Sequence, residues 1–422
     1  MRVMVIGGGG REHAIIKRIR ENPKVTELYA LPGNGGIALD CECVPIGATD
    51  LEKIAAFAVE KKIDYAVVTP DDPLVLGAVD LLESKGIPCF GPNKAAAIIE
   101  GSKAFSKDLM HRYGIPTAAY QTFHDPKDAL EYVKTSPLPI VIKADGLALG
   151  KGVVIAETRE QASEAVKSAM CDKKFGASGE VIVIEEFLTG PEVSVLAFTD
   201  GISIVPMVSS MDHKRALDHD EGLNTGGMGT IAPNPYYTPA IAEECMRTIF
   251  LPTVQAMNSE GRTFKGCLYF GLMLTPDGPK VIEYNCRFGD PETQVVLALL
   301  KSDLLSVMQA VTESRLGSEK DEFSKQCAAC VIMASEGYPS SYKKGFEVQV
   351  PDDVKDHVLF AGVRSDNGTL LTSGGRVLGV TAVEDTLKDA IRTAYERTAK
   401  ITFENAYYRK DIGERALKAL EE

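Results

Sequence analysis

The chain has 422 residues, of which 45% are hydrophobic and 25% charged, and its net charge is −13. At about 150 residues per domain, this length predicts about three domains. No apolar run approaches the roughly 20 residues that cross a bilayer, and the N-terminus lacks the apolar stretch of a signal peptide. We therefore expect a cytoplasmic protein without a membrane partner. The acidic balance also argues against a nucleic-acid partner.

The nine cysteines are expected to be free thiols in such a protein. Cys327 and Cys330 form a C-x-x-C pair, and Cys41 and Cys43 form C-x-C. Neither pair has a second pair at zinc spacing. The apolar surroundings in CAACVIMA favour thiols within a buried strand over a metal or redox site.

Residues 1–100 alternate short apolar runs with amphipathic stretches. The runs VMVIGG, ELYAL, DYAVVT and IPCFG are typical of parallel strands. The segments that begin near Arg11, Asp50 and Pro73 are typical of the helices between such strands. The pattern predicts an N-terminal doubly wound α/β domain.

Residues 101–326 are predicted to form a second domain. Apolar positions recur at helical spacing through GPNKAAAIIEGSKAFSKDLMHRYGIP, until Gly114 and Pro116 stop the helix. A strand, a glycine-rich loop and another strand follow in PIVIKADGLALGKGVVIAE. Together with the later strand VIVIEEFL, they predict a small α+β lid over roughly residues 120–187.

The rest of this domain is predicted to contain a hairpin around Asp200 and Gly201, a long helix near residues 241–259, and the strands CLYFGLMLT and PKVIEYN. Residues 327–422 hold short strands separated by Gly and Asn turns, with a final helix from near Thr386. They predict a small C-terminal β-rich domain. The fold class is thus α/β and α+β multidomain.

The stretch GGGGREHA follows the first predicted strand and begins a helix. Backbone amides in such a turn can hold a phosphate, with help from the helix N-terminus. A dinucleotide-binding turn would have G-x-G-x-x-G and a carboxylate after the second strand. This chain has Gly7, Gly9 and Glu12, and no carboxylate follows ELYA. A phosphate site and a tight turn without ligand are equal alternatives on this motif alone.

A second glycine-rich stretch, KADGLALGKG, places Lys143 at the end of a strand and Lys151 at the tip of a loop that contains Gly146, Gly150 and Gly152. It differs from a Walker loop, which would precede a helix. A loop between antiparallel strands can fold its amides over a triphosphate. The alternative is an ordinary hairpin with exposed lysines.

The strand VIEYN places Glu283 and Asn285 on one face, because side chains alternate along a strand. Carboxylate and amide oxygens suit Mg²⁺, which is usually coordinated by substrate phosphates as well as by the protein. A buried glutamate without a cation is costly, so an ion pair with Arg287 is the alternative. Lys103 upstream and the carboxylates of VIVIEEFL strengthen the hypothesis of a nucleotide site.

The motifs GGGGREHA, PGNGG, EGSKAFSK, IKADGLALGKGV, EEFLTGPEVSV, DHKR, NTGGMG, LYFGLMLT, EYNCRFGDPETQ and SGGRVLGVT occur in this order. Over essentially the whole chain they resemble the phosphoribosylamine–glycine ligase family of the ATP-grasp superfamily. The lysines, the glycine loop and the metal candidates indicate only the superfamily. GGGGREHA, DHKR with NTGGMG, and RFGDPETQ narrow the resemblance to this family.

The resemblance implies an N-terminal substrate-binding domain, an ATP-grasp domain with its lid, and the C-terminal domain. It implies that the ATP-binding residues are Lys103, Lys143, Gly146, Gly150, Lys151, Gly152, Glu185, Glu186, Phe187, Leu188 and Glu192. The implied substrate-binding residues are Gly9, Arg11, Pro32, Gly33, Asn34, Gly36, Asp212, Lys214, Arg215, Arg287 and Gly289. Arg287, Asp212 and Lys214 are the expected catalytic residues, and Glu283 and Asn285 the expected ligands of Mg²⁺ or Mn²⁺.

Some positions depart from the pattern usual in the family. Met211 stands where Gln is common before DHKR, His219 and Leu223 replace residues before NTGGMG, and Thr69 begins a Thr-Pro-Asp in place of Gly-Pro-Glu. The charged motifs are intact. The departures therefore bear on loop shape and substrate affinity rather than on the reaction.

The resemblance implies a reaction without a covalent enzyme intermediate, in which the glycine carboxylate attacks ATP and the amine of 5-phosphoribosylamine attacks the resulting glycyl phosphate. Mg²⁺ and lysines would then matter more than a nucleophile. Another ATP-grasp ligase and a nucleotide-binding sensor are the alternatives. We expect a monomer or weak oligomer with only small-molecule partners.

Overall fold

The computed structural model describes residues 1–147, 152–172, 174–318 and 322–421. Its N-terminal part is built on a parallel sheet. The strand order is β3-β2-β1-β4-β5, which confirms the expected parallel strands. The strands are β1 Arg2–Gly7, β2 Glu27–Pro32, β3 Glu42–Cys43, β4 Tyr65–Val68 and β5 Cys89–Phe90. The helices are α1 Gly10–Arg20, α2 Leu51–Glu60, α3 Asp71–Leu76 and α4 Ala78–Ser84.

The helix expected to end at Gly114 is instead two helices, α5 Lys94–Gly101 and α6 Lys103–Arg112. Ser102 between them is extended, with φ −140° and ψ 116°, and its side chain accepts a hydrogen bond from the amide of Phe105. The break follows from this cap, because an N-cap residue leaves the helical conformation to satisfy an amide of the next turn.

The four-stranded sheet that follows has the order β6-β9-β7-β8, and all its pairings are antiparallel. Its strands are β6 Tyr120–Phe123, β7 Ile140–Ala144, β8 Val153–Ala156 and β9 Ile182–Glu186, covered by α7 Pro126–Thr135 and α8 Arg159–Val166. We call it the lid sheet. Its own apolar cluster includes Phe123, Ile142 and Ile184.

A second antiparallel sheet, which we call the core sheet, has the order β11-β10-β16-β17. Its strands are β10 Glu192–Thr199, β11 Ile204–Pro206, β16 Gly266–Thr275 and β17 Gly278–Asn285. The β10–β11 pairing confirms the hairpin around Asp200 and Gly201. The long helix expected near residues 241–259 is present as α9 Pro239–Cys245, a π-helical stretch Met246–Phe250, and α10 Leu251–Ser259.

The C-terminal sheet has the order β12-β15-β18-β22-β19, with β23 beside β18. Its strands are β12 Met211–Asp212, β15 Gly229–Ala232, β18 Cys327–Ser335, β19 Val358–Phe360, β22 Arg376–Glu384 and β23 Ala406–Tyr407. Two small hairpins stand apart from it: β13 Arg215–Leu217 with β14 Glu221–Asn224, and β20 Val363–Asp366 with β21 Thr369–Thr372. Two strands of this sheet thus come from before residue 326.

The remaining helices are α11 Glu292–Leu299, α12 Leu304–Thr312, α13 Leu387–Thr398 and α14 Glu414–Glu421. The expectation that the helix near Thr386 is the last was wrong, because α14 follows it. Short 3-10 turns lie at Ile37–Leu39, Gly176–Gly179, Asp218–Asp220, Leu316–Ser318 and Lys355–His357, and a π-helical stretch extends α8 at Lys167–Cys171.

One apolar cluster runs from the N-terminal sheet into the core sheet, with Met4 and Ile6 in the same cluster as Phe270 and Tyr284. The two sheets are therefore held as neighbours by continuous packing. All nine cysteines are unpaired, and Cys330 is buried within β18. Among the described helices, none combines the length and apolarity needed to cross a bilayer.

Candidate active site

The candidate site lies where the lid sheet meets the core sheet. Lys143, on β7 and 4% exposed, donates a hydrogen bond of 3.0 Å to the carbonyl of Ile282 on β17. Its ammonium also lies 3.1 Å from Glu185 Oε2 on β9. One lysine thus links both sheets, and the cleft between them receives side chains from each.

Lys103 reaches the same cleft from the start of α6. Its amide donates to the carbonyl of Asp145 at 3.0 Å, and its ammonium donates to the carbonyl of Gly146 at 3.0 Å. Asp145 Oδ1 in turn accepts from the hydroxyl of Ser102 and the amide of Ala104. Burial lowers the pKa of Lys103 and the neighbouring Lys143 lowers it further, whereas Glu283 opposes the shift. Lys103 is therefore fixed beside both Lys143 and Glu283.

Glu185 is the centre of a buried charge cluster at the lid sheet. Its Oε2 atom lies 2.9 Å from the ammonium of Lys107, which is 2% exposed, as well as near Lys143. Its Oε1 atom is buried and has no hydrogen-bond partner in the described part of the chain. A buried carboxylate oxygen without a partner is costly. This atom is thus available to accept a hydrogen bond from a ligand.

The other expected nucleotide residues on this strand are less buried. Glu186 is exposed, and its carboxylate accepts a hydrogen bond of 3.2 Å from the amide of Ala119. Phe187 and Leu188 follow the strand and are half-buried. Gly146 and Gly152 flank the glycine loop, whereas Gly150 and Lys151 lie outside the described residues.

Glu283 and Asn285 lie on β17, opposite Gly271 and Tyr269 of β16. Burial alone would raise the pKa of Glu283, but Lys214, Lys143, Lys103 and Arg287 outweigh it and lower the pKa. The carboxylate is therefore held ionised, as a metal ligand must be. The expected alternative, an ion pair between Glu283 and Arg287, is wrong.

Arg287 pairs instead with Glu100, at 3.2 Å. Glu100 also accepts hydrogen bonds from Asn285 Nδ2 at 3.0 Å and from the amide of Cys286 at 2.7 Å. Because the amide nitrogen of Asn285 is taken, its oxygen is oriented away from Glu100 and is available to a cation. Arg287 Nε is buried without a partner among the described residues, so one guanidinium hydrogen is available to an anion.

Glu192 and Lys214 meet at 2.9 Å, so an expected ATP-binding residue and an expected catalytic residue form one ion pair. Asp212 lies at the end of β12, two residues before Lys214, and its Oδ1 accepts from the amide of His213. Burial and the charge of Glu292 raise the pKa of Asp212. Arg215, by contrast, uses its guanidinium within its own hairpin, where it donates to the carbonyl of Gly222 at 2.8 Å.

The side chain of Glu12, on α1, packs back against the glycine-rich turn after β1. The carboxylate of Glu12 accepts from the amide of Gly9 at 2.6 Å and from Arg11 Nε at 2.6 Å. Arg11 also donates to the carbonyl of Phe288 at 3.1 Å. One amide of the turn is therefore already satisfied, and Arg11 connects the turn to the RFGDPETQ segment.

The PGNGG loop, from Pro32 to Gly36, is held by Asn34. Its Nδ2 donates to the carbonyls of Gly8 and Phe360, both at 2.9 Å, and its Oδ1 accepts from the amides of Gly36 and Ile37. Gly33 adopts φ +68°, and a Cβ there would lie 2.3 Å from Cys43 Sγ. The nitrogen and the oxygen of the Asn34 side-chain amide thus both fix the shape of the loop. Only glycine suits position 33.

Sequence reasoning missed several residues that contact the predicted site residues or lie beside them: Glu100, Lys107, Glu292 and Arg376. Gly289 is close to one of them, since a Cβ there would lie 2.4 Å from Glu292 Oε2. Glu292 lies within the motif RFGDPETQ and Arg376 within the motif SGGRVLGVT, so these two motifs could have identified them. Lys107 lies one helical turn after Lys103, on the same helix face. No local pattern marks Glu100, because its partners come from β17 and beyond.

Comparisons with known proteins agree along the chain. Models of the phosphoribosylglycinamide synthetase family match residues 1–100 with the N domain, 101–293 with the ATP-grasp (A) domain and 328–415 with the C domain. A relative from Caldanaerobacter subterraneus subsp. tengcongensis, named phosphoribosylamine–glycine ligase, is 47% identical over 413 residues, which are 98% of this chain and 99% of the relative.

Solved structures are similar in fold. The crystal structure of phosphoribosylamine–glycine ligase from Thermotoga maritima matches with a TM-score of 0.87 and 34% identity, covering 98% of this chain and 100% of that one. A biotin carboxylase from Campylobacter jejuni matches with a TM-score of 0.75 at 14% identity, over 100% of this chain and 95% of its own, and shows the fold alone. With three family models in sequence along it and near-complete coverage of close relatives, this chain belongs to the phosphoribosylamine–glycine ligase family.

Proposed function

We propose that the protein joins glycine to 5-phosphoribosylamine with ATP, giving glycinamide ribonucleotide, ADP and phosphate in de novo purine biosynthesis. The observation that carries this proposal is the meeting of Lys103, Lys143 and Glu283 in one cleft between the lid sheet and the core sheet. Lysines beside an ionised carboxylate suit a triphosphate with its metal. The names of the relatives supply the acid and the amine.

ATP would lie in this cleft with its adenine against β9 and its phosphates toward Lys103 and Lys143. The buried Oε1 atom of Glu185, which has no partner among the described residues, supports the adenine position, because it can accept from an exocyclic amine. Glu192 would meet the ribose. Its ion pair with Lys214 would then be shared or exchanged when the nucleotide binds.

Glu283 and Asn285 fit a Mg²⁺ or Mn²⁺ site. Both offer hard oxygen atoms from one strand, Glu283 is ionised, and the hydrogen bond from Asn285 Nδ2 to Glu100 leaves the amide oxygen to face the cleft. When bound, such an ion would neutralise charge on the ATP phosphates. Two protein ligands are enough, because Mg²⁺ usually completes its shell with phosphates and water.

Phosphoryl transfer would begin when the glycine carboxylate attacks the γ-phosphate of ATP and releases ADP. Lys103 and Lys143 would stabilise the charge on the transferring group. Arg287, whose Nε has no partner among the described residues, would hold the acid. The amine of 5-phosphoribosylamine would then attack glycyl phosphate and release phosphate. The role of the lid is to keep water from this acyl phosphate.

The phosphoribosyl group would bind at the turn after β1 and the PGNGG loop. Support comes from their place at the carboxyl ends of neighbouring parallel strands, where open α/β sheets bind ligands. Arg11 and Gly9 border that edge. Asn34 would act there by shaping the loop.

A cytoplasmic location and a monomer or weak oligomer also stay predictions from the sequence.

The test is an assay of purified protein with ATP, Mg²⁺, radiolabelled glycine and freshly formed 5-phosphoribosylamine. We expect labelled glycinamide ribonucleotide and an equal amount of ADP, both dependent on every substrate. ADP release without labelled product, or equal turnover with another amine, would overturn the proposal.

Glu283→Gln removes the charge from the proposed metal ligand while keeping its size. Ligation should fall by at least about 100-fold, because charge on the transferring phosphoryl group is then poorly neutralised. Glu347→Gln, an exposed change in the C-terminal part, is the matched control and should be neutral. Near-normal activity of Glu283→Gln at saturating Mg²⁺ would show that the ion binds elsewhere.

A further inference from the structure

The two cysteines of the C-x-C pair lie beside the PGNGG loop. Cys43 ends β3 and pairs with Ala30 of β2, the strand that leads into the loop. Cys41 comes just before β3, at a bend of the chain. Both cysteines are free thiols and half-buried. They are therefore within reach of small molecules from solvent.

The thiols of Cys41 and Cys43 are also close to each other. Each is the hydrogen-bond partner of the other. Two steps along an extended chain cover about 7 Å at most, and a bend shortens that distance. A disulfide joins cysteines whose Cα atoms lie roughly 4.4 to 6.8 Å apart. The backbone can therefore accommodate a bond between these two sulfurs.

The C-x-x-C pair cannot close in the same way. Cys327 and Cys330 both lie on β18, where they are opposite Glu384 and Thr381 of β22. Residues three positions apart on a strand point to opposite faces of the sheet. Cys330 is also buried, whereas Cys327 is half-buried. Of the two cysteine pairs, only the C-x-C pair is placed to form a disulfide.

The two thiols of the C-x-C pair differ in acidity. The hydrogen bond from Cys41 lowers the pKa of Cys43, although burial opposes the shift. The same hydrogen bond, together with burial, raises the pKa of Cys41. Because the thiolate is the nucleophile in thiol–disulfide exchange, Cys43 is the thiol that reacts first. Cys41 is then the thiol that closes the bond.

Cys43 is also in contact with the PGNGG loop. Its Sγ donates to the carbonyl of Asn34 at 3.6 Å. A Cβ at Gly33 would lie 2.3 Å from the same Sγ atom, so the sulfur occupies the space that the missing side chain leaves. A bond to Cys41 removes the hydrogen from Cys43 Sγ and draws the atom toward Cys41. Oxidation therefore takes a hydrogen bond and a packing contact away from the loop.

We propose that Cys41 and Cys43 form a reversible thiol-modification site, at which a low-molecular-weight disulfide oxidises the pair to an intramolecular disulfide and thereby loosens the PGNGG loop. The site itself stands on the arrangement of the two thiols. Its effect on turnover rests on the proposed function, in which this loop borders the phosphoribosyl group. Because the cysteines are half-exposed, a dithiol should reduce the bond readily.

The oxidation takes place in successive exchange steps. The Cys43 thiolate attacks one sulfur of the reagent, so that a new S–S bond forms and the S–S bond of the reagent breaks. The released half takes up the proton that Cys43 has lost. Cys41 then gives up its proton and attacks Cys43 Sγ, and the other half of the reagent leaves as a thiol. The cysteines lose two electrons and two protons in all, and the reagent is reduced to two thiols.

The first experiment follows the thiols of the whole protein, with oxidised glutathione as the reagent. After exposure, free thiols are blocked with N-ethylmaleimide, and the peptides are weighed by mass spectrometry. We expect the peptide that contains Cys41 and Cys43 to lose the two thiol hydrogens, to take no maleimide, and to recover both thiols in dithiothreitol. Maleimide on both residues after the exposure would overturn the inference.

Variants separate a disulfide from a simple adduct. Cys41→Ser can still donate a hydrogen bond to Cys43 but cannot close the bond, so it should stop with glutathione on Cys43. Cys171→Ser, which removes an exposed cysteine elsewhere, is the matched control and should behave as wild type. If glutathione also stays on Cys43 in wild type, the pair does not close and the inference is wrong.

The second experiment measures turnover of the reduced and the oxidised protein. Oxidation should raise the KM for 5-phosphoribosylamine about 3- to 10-fold, because a misplaced binding loop holds its ligand less well. The KM for ATP should stay unchanged, and dithiothreitol should restore the KM for 5-phosphoribosylamine. The double variant Cys41→Ser Cys43→Ser should keep its KM values in the presence of the reagent.

The two readouts distinguish the possible failures. If the disulfide forms and the KM for 5-phosphoribosylamine is equal before and after oxidation, the link to the loop is refuted. If the disulfide forms in wild type but the reduced protein makes no product, the proposed function fails and the thiol site stands.

Discussion

The buried charged side chains at this site are oriented by partners that lie elsewhere in the chain. Lys107 contacts Glu185 at 2.9 Å and Thr117 Oγ1 at 2.7 Å, and its ammonium lies 5.9 Å from the ring centre of Tyr120. Burial lowers the pKa of Lys107 to about 8, although Glu185 opposes the shift. Lys107 therefore changes charge close to neutral pH while it holds the carboxylate proposed to face adenine.

This low pKa of Lys107 gives a pH dependence of stability. A lysine whose pKa is depressed by folding gives up its proton more readily in the folded state, so stability rises with pH between about 8 and the ordinary lysine value. From pH 7.5 to pH 10, wild type should gain about 1 to 3 kcal/mol relative to Lys107→Met. Urea unfolding at both pH values measures the difference. Parallel pH profiles for the two proteins would contradict the assigned titration.

The same pH change should alter nucleotide binding. Above pH 8, Glu185 loses the ion pair with Lys107.

Which sequence features reveal such residues depends on the range of their contacts. Glu283 and Asn285 were predictable because both come from one strand with period two. Glu100 was not, since its contacts with Asn285 and Arg287 form only when α5 packs against β17.

At the scale of elements, the start of α6 couples helix capping to the proposed nucleotide site. Ser102 accepts from the amide of Phe105 at 3.0 Å and donates to Asp145 at the end of the lid strand β7. Ser102→Ala should cost about 1 kcal/mol in unfolding free energy. It should also raise the KM for ATP several-fold, because Lys103, the first residue of α6, is then held less firmly in its position.

Thr386→Ala is the matched control for this prediction. Thr386 caps α13 by accepting from the amide of Asp389 at 3.1 Å, far along the chain from the lid. Its loss should cost similar stability by urea unfolding and leave the KM for ATP unchanged. If both variants change the KM for ATP equally, the effect comes from general destabilisation and not from the position of Lys103.

The elements were largely predictable where local pattern decides them, and less so where packing does. Alternating and apolar runs located β1, β10, β16 and β18. The break at Ser102 was hidden, because apolar spacing continues across it and the cap depends on Asp145 from another element. The strands β12 and β15 were also missed, since each is completed only by pairing in the C-terminal sheet.

At the scale of the whole molecule, the N-terminal and C-terminal parts meet at the edge where the phosphoribosyl group is proposed to bind. The PGNGG loop contacts the C-terminal part through Asn34, which donates to the carbonyl of Phe360, and through the amide of Gly35, which donates to the carbonyl of Val363. Arg376 of β22 also donates to the carbonyls of Gly226 and Asp290 at 2.7 and 2.8 Å. The C-terminal sheet therefore helps to hold the loops that border the proposed substrates.

His13 makes this junction sensitive to acid. Its Nδ1 accepts from the amide of Phe360 at 2.8 Å, its Nε2 lies 2.8 Å from Asp40, and its ring stacks on Phe360. Accepting at Nδ1 requires a neutral ring. Burial lowers the pKa of His13 below its ordinary 6.5, although Asp40 opposes the shift. The junction should therefore be fully stable above pH 6.5 and lose stability as the pH falls further.

The last prediction compares wild type with His13→Asn, which keeps an acceptor near the Nδ1 position but cannot titrate. Between pH 7.5 and pH 5, the Tm of wild type should fall further than that of His13→Asn, because a histidine whose pKa is lowered by folding takes up its proton more readily when unfolded. His111→Asn, an exposed change on α6, is the matched control and should follow wild type. If His13→Asn loses as much stability in acid as wild type does, the acid sensitivity arises elsewhere, and the contact with Phe360 does not set it.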